Sequence, residues 1–98
     1  MHGKDDIPEG SLLARAIRRA LGRRIAALRG ERGLDRAELA RRIGVHPDSL
    51  ARYEQGGSGI PLGRLYRIAS ALEVEVTALV PRPRHRKRAP SGGGEDRR

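Results

Sequence analysis

Arginine supplies most of the chemistry this sequence can offer. Lysine and arginine together number 21 against 12 acidic residues, giving a formal net charge of +9 and a pI near 11.4. Such a balance favours polyanionic partners, meaning nucleic acid or an anionic membrane surface. The excess is uneven: residues 1–80 hold 14 basic and 10 acidic side chains, whereas residues 81–98 hold 7 and 2. Other chemistries lack their residues. With no cysteine there is no disulfide, zinc-thiolate site or thiol nucleophile. The histidines, His2, His46 and His85, stand far apart without partner ligands, so no metal is expected. Neither a phosphate loop nor a Ser-His-Asp set at plausible spacing occurs, so the expectation is no enzyme and no cofactor.

The most pointed arrangement lies in residues 38–54, ELARRIGVHPDSLARYE. Ser49 and Arg52 are three apart and share one helical face, while Leu50 and Tyr53 occupy the neighbouring face and are expected to turn inward. The turn before them, Ile43, Gly44, Val45 and His46, is short and carries a glycine where the chain must bend sharply. A turn of this kind crosses two helices steeply and lets the second project. A projecting helix of about three turns fits the major groove of B-form DNA.

These residues need elements to hold them, and the apolar spacing predicts about five helices with almost no strand. Leu13, Ile17, Leu21, Ile25 and Leu28 recur at helical steps and form one stripe. Ser11 can cap this helix and Gly33 can end it. Gly22 sits inside, at a cost of about 1 kcal/mol against alanine, and leaves open one long helix or two short ones. Asp35 and Glu38 form an Asp version of the capping box for a second helix that buries Leu39, Ala40 and Ile43 and stops at Gly44. His46 at the N-cap and Pro47 at the first helical position start the third, and glycines 56, 57 and 59 end it. A fourth begins near Pro61 or Leu62 and buries Leu65, Ile68, Ala69 and Leu72. A last turn sets Val76, Leu79 and Val80 on the core. The domain is therefore expected over 11–80, with a loose arm at 1–10 and a disordered Arg-rich tail at 81–98. No apolar run approaches the roughly 18 residues of a membrane span. MHGKDDIPEG does not read as a signal peptide, so a cytoplasmic protein is expected.

The spacing resembles the Cro and phage-repressor-like helix-turn-helix domain, the xenobiotic-response-element family of bacterial regulators. The likeness runs from about Leu21 to Val80. It rests on Leu21, Gly22, Ile25, Leu28 and Arg29 at the start, then Glu38, Leu39 and Ala40 before the turn. Gly44, Val45, Pro47, Leu50, Tyr53 and Glu54 follow the turn, and Leu65, Ile68, Ala69, Ala71 and Leu72 close it. The resemblance implies an all-α, lambda-repressor-like bundle. It also implies a transcriptional regulator of the repressor type, acting as a homodimer on palindromic double-stranded DNA in the nucleoid. An antitoxin or adaptor that uses the same fold on a protein partner is the alternative.

The family's roles can be carried over by position. The start of the third helix reads bases, which points to His46, Asp48, Ser49 and Arg52. The start of the second helix holds phosphate, which points to Arg36, and the loop after the third approaches the backbone at Gln55. Arg29 and Glu54 correspond to a structural ion pair. Plainer roles compete: His46 as a cap only, Ser49 and Arg52 as solvated surface, and the run from Arg82 to Arg88 as a solvated tail. Tyr53 and Tyr66 read as core or boundary residues. Arg36 stands where glutamine is common, Pro47 lacks a donor, and Asp48 brings a negative charge near phosphates unless it accepts from a cytosine amino group.

Overall fold

The computed structural model describes residues 10–82. The expected arm and tail lie almost wholly outside these residues. Four α-helices and one 3₁₀ turn follow in order: α1 (Leu12–Glu31), α2 (Arg36–Ile43), α3 (Pro47–Glu54), α4 (Leu62–Leu72) and the turn Val76–Ala78. The fifth expected helix is thus a single 3₁₀ turn, and the described residues contain no strand. Glu73, Val74, Glu75, Val76 and Thr77 alternate polar and apolar residues as a strand would, but the described residues hold no strand for them to pair with.

Each helix starts and stops for a local reason. Ser11 accepts from the Ala14 N–H at 3.0 Å and opens α1, which runs unbroken through Gly22. Asp35 accepts from the Glu38 N–H at 2.8 Å and opens α2. Glu38 turns to Arg41 and Arg42 instead of completing the capping box. No side chain caps α4, whose first turn follows Pro61. All four helices end in the paired 6→1 and 5→2 backbone bonds of a Schellman motif. In α1 these run from Leu34 to Arg29 and from Gly33 to Gly30; in α3, from Gly57 to Arg52 and from Gly56 to Tyr53. Gly33, Gly44 and Gly56 take the required positive φ in the first three, but in α4 the residue is Glu73, at φ 60°.

One core joins the helices. Ile25 and Leu28 from α1 meet Leu39, Ala40 and Ile43 from α2, Leu50 and Tyr53 from α3, and Leu65, Ile68, Ala69 and Leu72 from α4. Leu79 closes it just after the turn Val76–Ala78 and is fully buried. The edge of the core departs from the expected stripe. Leu13 and Ile17, predicted on the core stripe, are exposed. Leu21 is only partly buried against the core. Val80 and Tyr66 also face out.

Candidate nucleic-acid interface

α2 and α3 are joined by Gly44, Val45 and His46 alone. Gly44, at φ 76°, reverses the chain, and the Val45 N–H reaches back to the Ala40 carbonyl at 3.0 Å. His46 then caps α3: its Nδ1 accepts from the Asp48 N–H at 3.0 Å. In the neutral ring the proton sits on Nε2, leaving an exposed donor beside the first turn of α3. The Asp48 carboxylate approaches the same Nδ1 at 3.7 Å. With Nδ1 acting as acceptor, this approach is not a charge pair.

Leu50, Tyr53 and Glu54 anchor the inner face of α3. Asp48, Arg52 and Gln55 are exposed and recur at helical spacing on the opposite face; Ser49 is half-buried at its flank. The structure therefore gathers four of the sequence-expected residues along the outside of α3, with His46 at its N-terminal end. The Arg52 guanidinium makes no hydrogen bond within the described residues. Its stem lies against Gly57, where a Cβ would come 3.0 Å from the arginine Cγ.

Arg36 is placed differently. It begins α2, and its Nε donates to Glu54 Oε1 at 3.1 Å. Arg29, in the last turn of α1, grips the same carboxylate through Nε at 2.7 Å and Nη2 at 3.1 Å, and its Nη1 reaches the Leu34 carbonyl at 3.0 Å. The expected Arg29–Glu54 pair is thus a three-residue cluster joining α1, α2 and α3. The Glu54 side chain is 3% exposed, that of Arg29 17% and that of Arg36 44%. The Glu54 hydrogen bond raises the Arg29 pKa above its ordinary value against the cost of desolvation, and the charges of Glu54 and Asp35 add to the effect.

Arginines that sequence reasoning did not single out brace this region, together with two close-packed glycines. Arg18 Nε donates to the Gly56 carbonyl at 3.2 Å, just past the end of α3. A Cβ at Gly56 would run into the Arg19 backbone, so α1 seats the loop after α3 at close range. Gly22 does the same for the last turn of α3. Arg64, near the start of α4, donates to the Tyr53 hydroxyl at 2.7 Å. An arginine on a helix surface carries no signal that distinguishes a brace from a solvated side chain. The glycine inside a helical stripe was the one visible hint. Among the described residues, no group of His, Asp or Glu is arranged to hold a metal ion. None of their helices is long and apolar enough to cross a membrane.

A short glycine turn between two helices, the second seated by its apolar face and presenting a polar one, defines a helix-turn-helix protein. The helix-turn-helix family model HTH_3 matches residues 25–79, and the chain belongs to that family. An uncharacterized transcriptional regulator in the ATPase CF(0) region of Rhodospirillum rubrum is 43% identical over 56 residues, covering 57% of this chain and 52% of that protein. The chain spans about half the length of the curated relatives it matches. Among solved structures, the restriction-modification controller protein C.AhdI from Aeromonas hydrophila superposes with a TM-score of 0.64 at 28% identity, covering 65% of this chain and 97% of that one. The clp gene regulator ClgR from Corynebacterium glutamicum does so with 0.63 at 28%, covering 74% and 71%.

Proposed function

We propose that the chain is a DNA-binding transcriptional regulator, without enzymatic activity, that reads the major groove with the outward face of α3. The observation that carries this reading is that face itself. Asp48, Arg52 and Gln55 are exposed together on a helix whose other side is locked into the core, and the Arg52 guanidinium has no partner within the described residues. Family membership and the regulators among its relatives support it. Arg52 is assigned to a guanine edge, with Ser49, His46 and Asp48 beside it. Arg36 and Gln55 are assigned to phosphates, which position the protein without reading sequence. The protein acts as a homodimeric repressor on palindromic sites in the cytoplasm. Its domain spans 11–80, and the basic tail adds phosphate contacts.

Selection of bound duplexes from a random pool tests the reading. The wild-type protein should enrich a palindrome with half-sites about one helical turn apart. Arg52→Ala should relax one base position per half-site, since a bidentate arginine–guanine contact discriminates by about 1–3 kcal/mol. A uniform loss of affinity with unchanged selection would remove Arg52 from base reading. Enrichment of no sequence by the wild type would overturn the regulator and favour a protein-interaction module.

A further inference from the structure

One carboxylate cannot neutralise two guanidiniums, and Glu54 has two. Arg29 takes it in a fork, with Nε on Oε2 and Nη2 on Oε1. That bidentate grip already satisfies a buried carboxylate. Arg36 adds only its Nε, on the Oε1 already shared. A guanidinium is planar and has two usable edges. Holding it by Nε leaves the edge formed by Nη1 and Nη2, and neither atom bonds elsewhere within the described residues. The Arg36 side chain is 44% exposed while Glu54 is 3% exposed, so the cluster runs from a buried anion outward to a charged fork at the surface. The three side chains together carry a formal charge of +1, with Asp35 near enough to act on Arg29.

We propose that Glu54 is a positioning residue for DNA: it holds Arg36 by Nε and presents the opposite edge of the guanidinium to a backbone phosphate. This rests on the reading of the chain as a DNA-binding protein. Glu54 is the last residue of α3 and Arg36 the first of α2. The same carboxylate therefore fixes the phosphate grip relative to the helix assigned to the bases. Arg29 anchors the arrangement to α1 and the Leu34 carbonyl.

Positioning and bulk electrostatics give opposite signs for Glu54→Gln. The substitution removes a negative charge, so net charge alone expects tighter DNA binding. Positioning expects weaker binding, by about tenfold, the worth of one charge-assisted hydrogen bond. Affinity for the duplex selected by the wild type is measured by fluorescence anisotropy over a salt series, well below the thermal midpoint of each variant. The slope of log K against log salt should also flatten by about 0.9. Both effects should vanish in an Arg36→Ala background. Glu54→Gln binding as tightly as wild type, or more tightly, overturns the proposal.

Arg36→Lys is the second variant. It keeps the charge at a half-exposed position but lacks the planar fork that bridges carboxylate and phosphate. It should fold normally, bind about tenfold more weakly and lose the same part of the slope. Wild-type affinity in this variant overturns the proposal even if Glu54→Gln does not fold. A wild-type protein that binds no duplex would instead fail the DNA-binding reading, and this proposal with it.

Discussion

Replacing Gly22 with alanine sets a helix preference against a packing constraint. Helix propensity alone expects a gain of about 1 kcal/mol, because glycine is a poor residue inside a helix. The fold expects the reverse. A Cβ at Gly22 would fall onto the carbonyl oxygens of Tyr53 and Glu54 and 2.7 Å from the Glu54 carbonyl carbon. These are backbone atoms of the last turn of α3, which cannot swing aside like the end of a side chain. The helices would have to part by roughly 1 Å before contacts become ordinary. Overpacking of this kind costs up to about 3 kcal/mol. Against a gain of about 1, the net loss is about 2 kcal/mol, or roughly 8–16 °C in thermal midpoint for a domain of this size. Gly30 is the control in the same helix: a Cβ there meets nothing within 4 Å. Gly30→Ala should raise stability by about 0.5 kcal/mol. Circular dichroism melts of the two variants decide the matter. If Gly22→Ala stabilises as Gly30→Ala does, α1 does not seat α3 at backbone contact.

Two further outcomes follow from local geometry. Glu73 ends α4 at φ 60°, a conformation that costs a non-glycine residue about 1–2 kcal/mol, so Glu73→Gly should raise stability by about 0.5 kcal/mol after the added freedom of the unfolded chain is subtracted. A lowered unfolding midpoint for this variant would count against that strain. Breaking the Glu54 cluster should cost about 3 kcal/mol for Glu54→Gln and less for Arg29→Met, because Arg36 still holds the carboxylate when Arg29 is gone. Denaturant titrations should give a double variant less damaged than the sum of the singles; strict additivity would refute coupling. Because the Arg29 pKa is raised, its share of this stability is present at neutral and mildly alkaline pH, where the Glu54 carboxylate that raises it is ionised. It is lost as pH rises through the folded-state value.

What was legible in the sequence was what repeats at helical spacing or stops a helix with a special residue. Leu39, Ile43, Leu50, Leu65, Ile68 and Leu72 carry the period, and all are buried. Gly33, Gly44 and Gly56 mark helix ends because their positive φ favours glycine. The end of α4 was less visible, since Glu73 takes the same backbone conformation without the residue type that signals it. Periodicity also has no knowledge of where partners stop. Leu13 and Ile17 continue the stripe of α1 faithfully, yet both stand exposed. In the candidate site, the outward face of α3 followed from spacing. The second grip on Glu54 did not, because Arg36 and Glu54 are 18 residues apart.

The arginines show the limit most clearly, since the same residue type serves two ends. Arg24 donates to the Ala78 carbonyl at 2.9 Å, Arg32 to the Leu72 carbonyl at 2.6 Å, and Arg67 to the Ile43 carbonyl at 3.4 Å. Leu72 and Ile43 are the final residues of α4 and α2, where orphan carbonyls and the negative end of the helix dipole attract a cation. Long, flexible, permanently charged side chains can reach such carbonyls from another helix, and here they tie α1 to α4 and α4 to α2. These arginines are already engaged within the fold. A carbonyl partner leaves the guanidinium charge in place but fixes where it points, so the count of arginines overstates how many can reach out to a phosphate. Arg15, Arg19 and Arg23 of α1 are also exposed, so exposure alone does not set Arg52 apart. What matters for DNA is place together with partner: Arg52 stands on the outward face of α3, and Arg36 is held by one edge at the start of α2. Net charge carries neither piece of information.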